Sequence, residues 1–114
     1  MLCDADRNRI LHMLESAQLA ISFVASRQRS DLDSDAQLRL ALLRALEVLG
    51  EAASRVSADL RAAHPEVPWQ QAISTRNRLI HAYFDVNLDI VWTTAASAIP
   101  ELVRQLHRIL EGDN

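Results

Sequence analysis

The chain has 114 residues, a length suited to one domain that buries about two thirds of its unfolded surface without a metal or disulfide staple. Only 2 Gly, 3 Pro and 4% aromatic residues argue against a β-sandwich or barrel, while 17 Ala and 17 Leu, both strong helix formers, argue for an all-α fold. All 12 basic residues are Arg, against 15 acids for a net charge of −3, which excludes a broadly basic nucleic-acid-binding surface.

The first residues carry two acids where an export signal would be basic, and Cys3 has no second cysteine to pair with. Both features suit a cytoplasmic chain in a reducing compartment, with Cys3 a passive residue. No apolar stretch is long enough to span a membrane. Ile10, Leu14, Ala17, Ile21 and Val24 recur at steps of three and four, predicting a first helix over about 5–27. Ser34 followed by Gln37 matches a capping box, so a second helix is expected from there to about Ser57. Its apolar stripe is Leu38, Leu42, Leu46, Leu49, Ala53 and Val56, and Arg44, Glu47, Glu51 and Arg55 form a ladder of surface ion pairs.

Pro65 and Pro68 make 58–69 an extended connection. A third helix is predicted from Gln70 to Phe84, with Ile73, Ile80 and Phe84 as its core stripe, Asn77 and His81 on one flank and Arg76 and Tyr83 on the other. Asn87 suits an N-cap, and Asp89 suits the first turn of a helix that follows. Pro100 makes 88–111 either one kinked helix or two stacked pieces, closed by Gly112. The product is an up-and-down bundle of four to five helices in a single domain, residues 1–114, with Ala-rich surfaces suited to a homodimer.

Arg76, Asn77, Arg78, His81 and Tyr83 form the densest group of functional side chains. Arginine holds phosphate oxygens through a planar fork, and histidine exchanges protons near neutrality, so the set suits phosphoryl chemistry. His81 lies five positions after Arg76, about 140° around a straight helix, so one helix does not aim both at one atom. A second copy of the chain would resolve that mismatch. No metal is expected: Glu47/Glu51 and Asp85/Asp89 have helical spacing but no Glu-x-x-His element, and His12, His64, His107 and Cys3 form no ligand-spaced set.

The run Arg76-Asn77-x-x-x-His81-x-Tyr83-Phe84, preceded by Pro65-x-x-Pro68-Trp69 and followed by Asp89-Ile90-Val91-Trp92, resembles the HepT-like family of bacterial HEPN-domain proteins. Leu46 to Ala53 looks like that family's second signature, and the resemblance spans about residues 5–111. It implies a HEPN-like homodimeric bundle acting as a toxin ribonuclease without a cofactor, encoded beside a minimal nucleotidyltransferase antitoxin. Carried over, Arg76 and His81 are the catalytic pair, Asn77 and Arg78 support RNA binding, and Tyr83 is the position the antitoxin modifies with AMP. Ala82 departs from the Gly that many relatives have there. The alternative is a non-catalytic helical partner that presents nucleotide or substrate to an associated transferase.

Overall fold

A computed structural model describes residues 2–81 and 86–112, with His81 described by its backbone alone. Every regular element among these residues is helical: α1 (Asp4–Val24), α2 (Asp31–Ser34), α3 (Ala36–Ser54), α4 (Ala58–Ala63), α5 (Trp69–His81), α6 (Leu88–Thr93), a π turn (Thr94–Ala98) and α7 (Ile99–Gly112). Four long rods result, because α6, the π turn and α7 follow one another without a break and α2 and α4 are single short turns. The all-α bundle expected from composition is therefore the observed architecture.

The most heavily buried rod is α3. Leu38, Leu42, Leu43, Leu46, Leu49 and Ala53 are buried along it, and it packs against α1 on one side and α5 on another. From α1 come Ile10, Met13, Leu14, Ala17 and Ala20, and α7 closes over α1 with Leu102, Leu106 and Ile109. Each fully buried Leu, Ile or Met contributes about 1.5–3 kcal/mol through the apolar surface it removes from water.

Several local expectations are corrected. Helix α1 ends at Val24 rather than near residue 27, and Cys3 is not passive: its sulfur accepts the Asp6 N–H at 3.4 Å as the N-cap. The cap of α3 is Asp35, whose carboxylate accepts the Leu38 N–H at 3.0 Å, because Ser34 is already committed to the last turn of α2. A carboxylate there also meets the positive end of the helix dipole, a stronger cap than a hydroxyl. The connection 58–69 is not extended throughout, since Ser57 caps α4 through the Leu60 N–H at 3.2 Å. Only the Pro-bearing part, residues 64–68, lies between helices. Trp69 is buried at the start of α5 and donates its indole N–H to the His64 carbonyl at 2.9 Å.

Pro100 neither ends the last helix nor splits it. The turn before it widens, with the Ile99 N–H bonding the Thr94 carbonyl five residues back, so the rod continues past the residue that lacks an N–H. No helix of the described residues is long and apolar enough to cross a membrane.

Candidate functional site

The seam between α3 and α5 holds the most chemically loaded side chain. Gly50 is buried in the middle of α3, where a glycine costs about 0.5–1 kcal/mol relative to alanine. A Cβ on Gly50 would lie 2.3 Å from the Arg76 Cβ and 2.5 Å from the Ala72 carbonyl oxygen, so the missing side chain is what allows α5 to come this close. Arg76 therefore starts from the buried face of its helix, in line with Trp69, Ala72 and Leu79. The expected core stripe of α5 is wrong in phase: Leu79 is 4% exposed, whereas Ile80 is 43% exposed. Ile73 is half-buried against the core, and Phe84 lies outside the described residues.

From that starting point the Arg76 side chain runs along α3. Its Nη2 pairs with Glu51 Oε2 at 2.7 Å, its Nη1 donates to Asn77 Oδ1 at 2.7 Å, and its Nε is buried without a partner among the described residues. Some 29% of the side chain still faces solvent, enough for an outside anion to reach the guanidinium. The other oxygen of Glu51 accepts from Arg55 Nε at 2.9 Å, so one carboxylate bridges two cations. The hydrogen bond from Arg55 holds the Glu51 carboxyl below its ordinary range; partial burial works against this, and the Arg76 charge works with it. Within the expected ladder, Arg44 and Glu47 also pair, at 2.6 Å.

The predicted residues are thus partly brought together. Arg76 and Asn77 touch directly, the Asn77 side-chain oxygen accepting from the guanidinium. Arg78 is exposed on the outer side of α5. The backbone of His81 forms the last residue of α5, five positions beyond Arg76, and its side chain is outside the described residues. Tyr83 and Ala82 also lie outside them. Two residues that the sequence reading did not attach to Arg76 prove to hold it, Gly50 and Glu51. The available signal was a glycine inside a helix otherwise rich in Ala and Leu, next to an acid.

Among the described residues, no three His, Cys, Asp or Glu side chains gather where they could hold a metal ion. A cavity of about 510 Å³ opens elsewhere, at the end of the bundle, lined by Cys3, Asp6, Ser57, His64 and Arg108. It does not include Arg76.

Comparison with known proteins adds what geometry alone does not give. The family model "Ribonuclease HepT-like" matches residues 13–109. A protein of Caldanaerobacter subterraneus subsp. tengcongensis, provisionally named an RNase, is 37% identical over 100 residues, covering 88% of this chain and 89% of its own length. Another, from Thermococcus cleftensis and provisionally named ribonuclease HepT, is 34% identical over 95 residues, covering 83% of this chain and 86% of its own. A Methanocaldococcus jannaschii protein, also provisionally an RNase, is 32% identical over 94 residues, covering 82% and 86%. No solved structure matches the chain.

Proposed function

We propose a function from one established premise: the chain belongs to the HepT-like ribonuclease family. It is an endoribonuclease toxin, a homodimer that cuts RNA without a metal ion and is neutralised by a minimal nucleotidyltransferase. The observation that carries this reading is the Arg76 guanidinium, held at the α3–α5 seam by Glu51 and Asn77 yet open to solvent, on the helix that ends at His81.

The chemistry follows from those groups. The RNA 2′-oxygen attacks the adjacent phosphorus while a base removes its proton; the bond from phosphorus to the 5′-oxygen breaks, and an acid protonates that oxygen. The products are a 2′,3′-cyclic phosphate and a free 5′-hydroxyl. Such a reaction needs a base, an acid and a fixed positive charge for the phosphate. One chain supplies one histidine on α5. In a dimer, His81 and the partner subunit's His81 divide the acid and base roles, and Arg76 neutralises the charge that grows on the phosphate. Asn77 and Arg78 support the RNA strand. The cytoplasm is the compartment where such a toxin meets its substrate.

Neutralisation goes through Tyr83. Its hydroxyl oxygen attacks the α-phosphorus of ATP on the antitoxin, releasing pyrophosphate and leaving AMP on the toxin. A phosphate added there competes with RNA for the cationic site.

The test is direct. Purified protein is expected to cut RNA to cyclic-phosphate and 5′-hydroxyl ends, and His81→Ala or Arg76→Ala to lose at least about 100-fold in rate. Undiminished cleavage by His81→Ala, or products with 3′-hydroxyl and 5′-phosphate ends, would overturn the mechanism. Intact mass after co-expression with the adjacent transferase should show AMP increments that disappear in Tyr83→Phe; an unmodified protein would remove the antitoxin arm.

A further inference from the structure

We infer that Gly50 is a positioning residue for Arg76, setting where the guanidinium stands and so how fast the proposed cleavage runs; the inference rests on the ribonuclease reading for its kinetic consequence only. Three observations support it. The space above Gly50 is filled by Arg76 itself, with the Arg76 Cγ also only 3.2 Å from the missing Cβ. A close approach of the two helices therefore falls at the functional arginine. Second, Arg76 has its Nε buried and two of its nitrogens tied to Glu51 and Asn77, so its stem has little room to adopt other rotamers. Third, the acid that pins it is the very next residue on α3, so a shift that lifts Arg76 off residue 50 also takes it from the Glu51 carboxylate.

The size of the effect can be gauged. Carbon atoms rest about 3.5–4.0 Å apart, so a methyl group at position 50 has to drive the seam open by roughly 1 Å. Because Ala72 meets the methyl through a backbone oxygen, rotation of a side chain cannot absorb the strain. A displacement of about 1 Å at a charge-stabilising group can cost about 100-fold in rate. Gly112, the other glycine, has nothing within 4 Å of the position its Cβ would take. Arginine forfeits little by being held this way, because it stays charged at any physiological pH and its outer N–H edge remains available to a phosphate.

The experiment uses the whole chain and two readouts. Gly50→Ala is expected to lower kcat about 10- to 100-fold with KM changed less than about threefold. Phenylglyoxal, which modifies accessible arginines, should label Arg76 at least about five times faster in the variant than in the parent, followed by peptide mass. Leu42→Ala serves as the control for lost stability, because Leu42 is fully buried in α3 two helical turns before Gly50. Below its melting point it should keep the parent's kcat and Arg76 labelling. Parental kcat and labelling in Gly50→Ala would overturn the inference, as would an equal fall in kcat in Leu42→Ala. Should Gly50→Ala not fold, labelling of the parent decides: Arg76 reacting about tenfold slower than exposed Arg78 supports the seat, and equal rates refute it. If the parent cuts no RNA, the ribonuclease reading fails, while the labelling comparison still tests the seat.

Discussion

Asp6 offers a way to separate what holds the bundle together from what the seam does. Its side chain is 8% exposed near the start of α1, yet it bonds to a residue 51 positions away: Oδ1 accepts the Ser57 N–H at 2.9 Å, and Oδ2 accepts the Ser57 hydroxyl at 2.7 Å. One carboxylate thus sits at the positive ends of both α1 and α4 and ties the turn after α3 to the first helix. Burial pushes the Asp6 carboxyl up, but the hydroxyl and N–H of Ser57, with Cys3, outweigh it and leave the group below its ordinary value of 3.8. Removing both bonds in Asp6→Ala forfeits two charge-assisted hydrogen bonds of about 1.5–3 kcal/mol each at most. Ser57 is exposed, so water takes over part of that role, and a net loss of about 2–3 kcal/mol is expected. That corresponds to a fall in Tm of roughly 8–15 °C for a domain of this size. Asp6→Asn, which can still accept one bond and donate to the hydroxyl, should cost about 1 kcal/mol. The sign with pH follows from the lowered value. The stabilisation is complete above the unfolded pKa of about 3.9 and is lost as pH falls through the lower folded value, so parent and Asp6→Ala converge in strong acid. Urea titrations at pH 7 and at steps below pH 4 measure this. A difference under about 0.5 kcal/mol at pH 7, or one that does not shrink in acid, would refute the assignment.

Further expectations concern the seam and its supports. Glu51→Ala should reduce RNA cleavage about tenfold without changing the product ends, since the cation survives but loses its anchor; an unchanged rate measured on a defined oligonucleotide would contradict this. In the parent, the Glu51 carboxyl is held low, so its grip on Arg76 persists from neutral pH into mild acid and fails only as pH drops through that lowered value. The Arg76 side-chain N–H resonances, followed by NMR down from pH 7, should shift only there. Trp69→Phe removes the indole bond to the His64 carbonyl and should lower stability by about 1–2 kcal/mol, read by denaturant titration. Leu42→Ala, at a site with no exposure, should cost about 3–4 kcal/mol.

What could be read from the sequence divides along a physical line. The long rods were legible because apolar residues at helical spacing report on burial within one segment, and Leu38, Leu42, Leu46 and Leu49 do line the core as their spacing requires. The two short turns α2 and α4 were not, since four or six residues are fewer than two helical periods; they depend on caps and on single buried contacts such as Leu32. Asp35 displaced Ser34 as a cap because the chain had already used Ser34, a matter of competition between neighbours rather than of preference.

The misphasing of α5 bears most directly on function. Reading the stripe through Ile73 and Ile80 treated apolarity as the guide to the buried face, and so left Arg76 on its flank. The structure places a charged residue on that face, over a glycine and beside an acid from another helix. A helix that buries an arginine necessarily gives a weaker and rotated amphipathic signal, and departures of this kind concentrate where a chain gives up local consistency for a site. The net charge fits the same picture. Around the seam Arg55 and Arg76 share one carboxylate, leaving a single surplus positive charge there, with Arg78 as a second on the outer side of α5. An acidic chain can therefore still engage a phosphate backbone, but at a point and not across a surface. Its RNA binding should accordingly weaken with salt as about two phosphate contacts per chain would, a slope near −1.5 on logarithmic axes for single strands. A slope several times steeper would place the RNA on some other, broader face and sever the link between Arg76 and the substrate.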